Sequence, residues 1–579
     1  MQIRPMFVLC TSAALLLWCE GAAAQSAAPA RDAEASPTLG QPALIDGRLV
    51  FPTGPDAPPI PRYLTDNERT YLQSHPLVAG QDGGGDGLGL RGPYTAPTGA
   101  IRCPGEYEPS DGIILAWKSF TTLLAQMGAL ITNQGNAKLY VACDSVAAQN
   151  NAITLLTSAG ANMSRVEFML TITNTVWLRD YGPRYIYEGN VRGIIDHTYN
   201  RPRPQDNLFP TAFAARKNHA RYLLPLIHGG GNYHLNGIGD AWATRLIGNE
   251  NPTLTETQII GYWNQFQGVD TTLTNPFPTS VDLTQHIDMW MQITGDQSAI
   301  IADWPNNVGS TQDIICDTTA AAMISDGWTI DRVPGRALSG THYTYTNVVM
   351  CNDIVIIPSY TNSTIVAAGH NAQALATWQA HMPGKQIFQL NCQAIVTSAG
   401  VMHCIVMHVP QHLGDAGDNG GLAPTAYLRN LRGGESLNPG DNVSIRWLND
   451  DDAGVSNVDI LLSTDGGATF ETTIVSATPP DGSHAWVVPN IITQQARLRI
   501  VARDAQGNTG SDESSTDFVI NGTPPCAADF DGSGSADVPD IFAFLSAWFA
   551  QDPAADIDGT PGIGVPDIFF FLSIWFAGC

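Results

Sequence analysis

The chain has 579 residues, enough for several domains, with 14% charged residues and a formal net charge of −26. An acidic surface with few lysines excludes nucleic acid as a partner, because phosphates call for a basic face. Abundant Gly and Pro with so little charge favour β structure and turns over long solvated helices.

Residues 1–24 read as a secretory signal peptide, with Arg4, an apolar run over 6–18 and a small-residue end at Ala22, Ala23 and Ala24. The run is too short to span a bilayer, and bulky Trp18 before Cys19 argues against a lipidated cysteine. No later stretch has enough consecutive apolar residues to cross a membrane. The expectation is an exported protein, secreted or held at the cell surface. Beyond the signal peptide lie Cys103, Cys143, Cys316, Cys351, Cys392, Cys404, Cys526 and Cys579. Export permits disulfides, and Cys526 with Cys579, which bracket the last module, is the expected pair.

Residues 25–95 are rich in Ala, Pro and Gly and read as a linker or propeptide-like arm with little core of its own. From 96 to 418, β-like runs such as DGIILAW, AKLYVAC, RVEFML, VRGIIDH, SAIIADW and DIVIIPSY alternate with helix-like stretches at 118–131, 144–158 and 371–380. Strands alternating with helices over this length mark an α/β domain.

Four residues in this domain carry chemistry: Asp180 in WLRDYGP, His286 and Asp288 in QHIDMW, and Cys404 in AGVMHC. A carboxylate pair matches the nitrogen fork of a guanidinium by charge-assisted, bidentate hydrogen bonds. A cysteine beside a histidine is a nucleophile with a base at hand. Taken singly, each has a plainer role. Asp180 could pair with its neighbour Arg179, and Cys404 could be a small core residue. His286 and Asp288, one residue apart, would share a face if they lay on a strand.

The ordered strings narrow these alternatives. Pro104-Gly105-Glu106-Tyr107, Trp177 to Pro183, Gly229-Gly230-Gly231-Asn232, His286-Ile287-Asp288, Asn347 and His403-Cys404 resemble the agmatine deiminase and bacterial peptidylarginine deiminase family. The resemblance implies a five-bladed α/β propeller of guanidino-modifying enzymes. It implies Cys404 as nucleophile, Asp180 and Asp288 as holders of the guanidinium, His286 as acid and base, and Asn347 as an orienting residue. Trp177 would wall the side-chain tunnel and Asn232 would brace its glycine loop. No cofactor is needed for this chemistry. Two departures stand out: the glycine pair before the nucleophile is here Ala399-Gly400, and the hydroxyl residue two places after it is Val406.

Agmatine and peptidyl arginine share the reacting head and differ at the far end. Arg201 and Arg203, set between prolines, resemble the Arg-x-Arg pair with which secreted peptidylarginine deiminases grip a terminal carboxylate. The expected substrate is therefore an arginine-containing peptide or protein, with a C-terminal Arg preferred. Agmatine, whose far end is a cation, is the alternative. A Cys-His-Asp peptidase is a further class, but it needs an oxyanion site and one orienting acid rather than two acids aimed at a cation.

Residues 422–521 show short alternating strands joined by Gly, Asp and Asn turns, the pattern of an all-β immunoglobulin-like sandwich. Residues 526–579 contain a duplication, DFDGSGSADVPDIFAFLSAWFA and DIDGTPGIGVPDIFFFLSIWFA. The first copy sets Asp529, Asp531, Ser533, Asp537 and Asp540 at calcium-loop positions, with Gly534 at the sharp turn. The second keeps Asp556, Asp558, Thr560 and Asp567 but has Pro561 and Gly564 where the first has Gly534 and Asp537. This module resembles dockerins, which implies calcium and a docking partner.

Overall fold

The computed structural model describes residues 37–54, 57–80, 94–522 and 526–578. The proposed signal peptide and Cys579 lie outside them. Among the described residues no helix is long and apolar enough to cross a membrane.

Between Ile101 and Pro410 the described chain forms, besides a two-stranded hairpin of Arg336–Leu338 with Thr341–Tyr343, five small sheets with one recurring pattern. In each, a strand pairs antiparallel with the next, and that second strand pairs parallel with a third. The sheet built on Ser110–Ala116, Lys138–Cys143 and Val166–Leu170 takes its antiparallel edge from Val406–Pro410, at the far end of the unit. That pairing ties the unit's two ends together. Arg184–Glu188, Val191–Tyr199 and Ala220–His228 make the second core ladder, flanked by Ile101–Arg102. The other three sheets start at His234–Leu235, Met291–Gly295 and Val349–Cys351. Parallel neighbours need a crossover. It is supplied by the helices Thr121–Asn133, Phe209–Lys217, Glu256–Gln267, Thr311–Ser325 and His370–His381.

Local sequence sets several of these boundaries. Thr255 and Gln258 form a capping box at the start of Glu256–Gln267, and Gly268, at φ 67°, ends it in the left-handed region. In Thr121–Asn133 the buried residues Leu123, Leu124, Met127 and Ile131 follow helical spacing and pack on the strands beneath. A mixed α/β fold results.

From Thr425 to Asn521 the chain turns all-β. A three-stranded sheet, Thr425–Leu428, Asn442–Asp450 and Ser483–Val487, and a larger one centred on Val455–Ser463 and Ile492–Asp504 share one core. Ile445, Trp447 and Trp486 from the first meet Val458, Ile460, Leu498 and Ile500 from the second.

The helices Val538–Ala550 and Val565–Ala577 form the C-terminal unit. Phe544 and Phe571 stack with ring centroids 4.2 Å apart. Each helix's Trp donates across to the turn that opens the other: Trp548 Nε1 to the Gly564 carbonyl at 2.7 Å, and Trp575 Nε1 to the Asp537 carbonyl at 2.9 Å. The sequence duplication thus becomes a near-symmetric pair. Cys526 is disulfide-bonded, whereas Cys103, Cys143, Cys316, Cys351, Cys392 and Cys404 are free, buried thiols.

The arm has more structure than its composition suggests. It holds a short hairpin, Ala43–Ile45 with Arg48–Val50, and a helix, Asp66–Ser74. That helix opens on a Thr65–Glu68 capping box. Between hairpin and helix the chain crosses the α/β unit and places Arg62 in its interior, with no exposed surface.

Candidate active site

Each of the five sheets is entered through a short connection, and the five connections converge. The helix Leu178–Tyr181 carries Asp180; the turn Gly230–Asn232 follows it in the chain; Ile287–Met289 holds Asp288; Asn347 precedes Val349–Cys351; His403–Ile405 holds Cys404. His286 and Asp288 do not lie on a strand. They sit at the cap and inside a single 3-10 turn just before the strand. The tight turn, rather than strand alternation, brings both side chains to one target.

That target is the guanidinium of Arg62. Nε donates to Asp180 Oδ2 at 2.8 Å and Nη2 to Asp180 Oδ1 at 2.7 Å. Asp288 takes the other edge, with Oδ1 3.1 Å from Nη1 and Oδ2 3.0 Å from Nη2. Nη1 also approaches Cys404 Sγ at 2.6 Å, and His286 Nδ1 lies 2.8 Å from Nη2. The group's five N–H donors are thereby all engaged. Two bidentate carboxylates fix its plane, with the thiol at one nitrogen and the imidazole at the other.

The glycine run makes room for this. A Cβ on Gly231 would fall 1.9 Å from Arg62 Nη2 and 2.7 Å from Asp288 Oδ2. Asn232 braces the loop: its side chain bonds both backbone groups of Thr244 and accepts the Ile287 N–H. Asn347 ties Cys404 to Asp288. Its Oδ1 accepts the N–H groups of His403 and Cys404, and its Nδ2 lies 3.0 Å from Cys404 Sγ and 3.2 Å from the Asp288 carbonyl. Before Cys404, Ala399 adopts φ 66°, in the left-handed region a glycine would enter freely. The loop keeps that shape without a glycine there. Gly400 has no such latitude, since its Cβ would meet Trp177 at 2.8 Å and Cys404 Sγ at 2.9 Å.

Charge follows geometry. Burial pushes the Asp180 carboxyl up, but Arg62 and then His286 outweigh it and hold it well below the usual range. Asp288 is likewise lowered: burial opposes, and Arg62 and His403 prevail. Burial lowers His286, aided by Arg62. The Cys404 thiol is pushed well up by burial and by both carboxylates, with Arg62 acting in the opposite direction. A bound cation therefore favours the thiolate in this site.

The far end of the pocket is read through backbone. Trp177 Nε1 donates to the Ile60 carbonyl at 2.8 Å, and Arg201 Nε to the Arg62 carbonyl at 3.1 Å. The Arg62 N–H donates to the Ser398 carbonyl at 3.0 Å. Arg203 donates to the Pro61 and Tyr63 carbonyls and pairs with Glu68 Oε1 at 2.7 Å, both side chains fully buried.

Sequence reasoning missed Arg62 and Glu68. It also missed the layer behind Asp288, where His403 bridges Asp288 Oδ2 at 2.9 Å and Glu106 Oε2 at 3.0 Å. Arg179 pairs with Glu106 and not with Asp180. The PGEY string was visible, but only the fold shows that its Glu106 lies behind the turn that carries His403 and Cys404.

In the C-terminal unit, one carboxylate oxygen each from Asp529, Asp531 and Asp540 lie within 4.8 Å of one another, as do those of Asp556, Asp558 and Asp567. Ser533 and Thr560 lean on these groups, through Asp529 and Asp558. The Asp537 carboxyl is pushed up by desolvation and by the negative charges of Asp540, Asp531 and Asp529. Carboxylate oxygens gathered this closely are donors of the kind a hard divalent ion takes. In the second loop the left-handed turn moves one residue on from Pro561 to Gly562, at φ 104°. The Gly562 N–H bonds Asp556 as that of Gly534 bonds Asp529.

Residues 102–410 match the family described as Porphyromonas-type peptidyl-arginine deiminase. A chain of Shewanella sp. (strain MR-4) bearing the name "Putative agmatine deiminase" is 24% identical over 293 residues, which span 43% of this chain and 76% of that one. Among solved structures, "C. Jejuni Agmatine Deiminase" aligns at TM-score 0.47 and 15% identity over 54% of this chain and 97% of its own. A Porphyromonas gingivalis structure named "Putative Arginine Deiminase" aligns at TM-score 0.47 and 18% identity, over 54% and 99%.

Proposed function

The chain belongs to the Porphyromonas-type peptidyl-arginine deiminase family, deiminases that hydrolyse carbon–nitrogen bonds of guanidino groups, and from that premise we propose that its own substrate is peptidyl arginine, converted to citrulline and ammonia. The observation that carries this reading is the pair of contacts on Arg62: carboxylates on its guanidinium and Arg201 on its main-chain carbonyl. A site that holds both ends suits an arginine within or at the end of a peptide. Agmatine has no carbonyl to meet Arg201, and its cationic end would face that arginine. A terminal carboxylate would meet Arg201 at the same place, with Arg203 close by. The layout of the α/β unit is proposed to be the five-bladed propeller of guanidino-modifying enzymes.

In the proposed reaction Asp180 and Asp288 hold the substrate's plane and its charge. Cys404 attacks the central carbon as thiolate, drawn out of its raised protonation range by the cation it attacks. His286, beside the outer nitrogen, protonates the departing ammonia. It then activates the water that cleaves the carbon–sulfur bond. Asn347 holds the sulfur in line. The same protein would be exported. Its C-terminal unit would hold calcium through Asp529, Asp531, Ser533, Asp537 and Asp540, and through Asp556, Asp558, Thr560 and Asp567, and would serve a docking partner.

The test uses protein carrying Arg62→Ala, which vacates the pocket. Ammonia release is measured from a peptide ending in Arg, the same peptide with Arg internal, and agmatine, with Cys404→Ala added as control. Turnover of either peptide in preference to agmatine is expected. Turnover of agmatine alone would sink the peptidyl assignment.

A further inference from the structure

Arg62 is not a bystander in the pocket. Its guanidinium satisfies both carboxylates, and its main chain is held on either side. Arg201 takes its carbonyl, Ser398 its N–H, and Trp177 the carbonyl of Ile60. Beyond it, the Glu68 carboxylate locks onto Arg203, and the Thr65–Glu68 capping box fixes that carboxylate at the head of a helix. Residues 60–68 thus occupy every subsite described above.

We propose that Arg62 is a substrate of its own active site, and that the enzyme deiminates it once, in cis, to open the pocket to other peptides. This rests on the deiminase reading given above. Cys404 Sγ stands beside Nη1 and His286 Nδ1 beside Nη2, so the geometry designates Nη2 as the leaving nitrogen. The thiolate adds to the central carbon and the carbon–Nη2 bond breaks, with ammonia leaving after protonation by His286. Water, deprotonated by His286, then displaces the sulfur. The sum is one guanidinium and one water giving one ureido group and one ammonium ion, with no oxidant or reductant.

The product does not fit the place it was made in. Nη2 donates to Asp180 Oδ1 at 2.7 Å and to Asp288 Oδ2 at 3.0 Å. A ureido oxygen there would be an acceptor facing two carboxylates, and the side chain would have lost the charge that held it. Citrulline at position 62 is thereby expelled, and the arm loses its deepest anchor. Before that event the arm competes at the effective concentration of a tethered ligand, and outside peptides wait.

The experiment is peptide-mapping mass spectrometry of the full-length protein, together with progress curves on an added arginyl peptide. The expected result is an NH-to-O mass change at Arg62 in the wild-type protein and none in Cys404→Ala. Its rate should not change on dilution. The added peptide should be turned over after a lag that Arg62→Ala and Arg62→Gln both abolish. An unmodified Arg62 in wild-type protein, with either variant turning over the peptide, would overturn the proposal and leave the deiminase standing. Modification whose rate scales with protein concentration would overturn the cis step. If Arg62 stays unmodified and every form is inert on added peptide, the deiminase reading falls and this proposal falls with it.

Discussion

At the scale of single residues, the pocket is defined as much by a missing atom as by the carboxylates. Gly231 leaves the space that Arg62 Nη2 fills. Gly231→Ala in protein freed of the arm should lower kcat/KM for arginyl peptides by roughly a hundredfold or more, because the guanidinium can no longer seat against both acids. Thermal unfolding should fall as well, since the same Cβ would meet Asp288 Oδ2 at 2.7 Å and Asp180 Oδ1 at 2.9 Å, so activity is compared at a temperature where the variant is folded. An active Gly231→Ala variant would show that the substrate sits elsewhere. Ala399 makes the opposite case. Its φ of 66° is strained for a side chain, so Ala399→Gly should gain about 1 kcal/mol of stability, read by denaturant titration. The departure from the family's glycine pair is therefore a cost in strain rather than a change of shape. Asp180, His286, Asp288, Asn347 and Cys404 were legible because each lies in a short ordered string. Arg62 was not, because its role depends on a chain crossing of more than a hundred residues that no local pattern encodes. The one available signal was the Thr65–Glu68 capping box, which marks a helix start inside an otherwise Pro- and Gly-rich stretch.

At the scale of elements, the recurring sheet explains why the site could be read but not drawn. Strands and crossover helices announce themselves by periodicity, and Thr121–Asn133, Val146–Ser158 and His370–His381 lie close to the expected ranges. The short turns that aim the side chains have no period to find, so a strand was only one placing open to His286 and Asp288, which belong to a 3-10 turn. The C-terminal pair is the clearest case of repeat becoming structure. Its fully buried apolar cluster is Phe544, Ala555 and Phe571, ringed by half-buried side chains such as Phe530, Ile541 and Leu572, a small core for two helices unaided. Calcium removal by a chelator should unfold this unit, seen as a change in Trp548 and Trp575 fluorescence and loss of helical signal. Peptide deimination should be unaffected by the same treatment. Unchanged fluorescence would mean that the acid loops do not hold a structural ion.

At the scale of the whole molecule, a buried ion pair couples the all-β unit to the site-bearing unit. Arg192 Nε meets Asp450 Oδ2 at 2.6 Å, and its Nη2 meets Asp452 at 2.7 Å. His219 Nε2 lies 3.1 Å from Asp450 Oδ1. Burial pushes the Asp450 carboxyl up, but Arg192 and His219 hold it well below the ordinary range. A folded-state value below the unfolded one stabilises above the unfolded value and is lost as pH falls through the folded one. The junction should therefore be firm at neutral pH and weaken in strong acid. Arg192→Ala should cost about 3–5 kcal/mol, because it leaves a buried carboxylate unpaired. Calorimetry at neutral and acid pH would read both effects, and equal unfolding of wild type and variant at neutral pH would deny the pair this role. The architecture thus ties the all-β unit to the site-bearing unit and fills the pocket with residue 62. The most direct measurement of the central claim is rapid-quench mass spectrometry of the Cys404 peptide during turnover of an arginyl peptide by Arg62→Ala protein. The account predicts an adduct on Cys404 equal in mass to the substrate less ammonia, appearing and decaying with turnover. Citrulline formed while Cys404 stays unmodified and replaceable by Ala would contradict it.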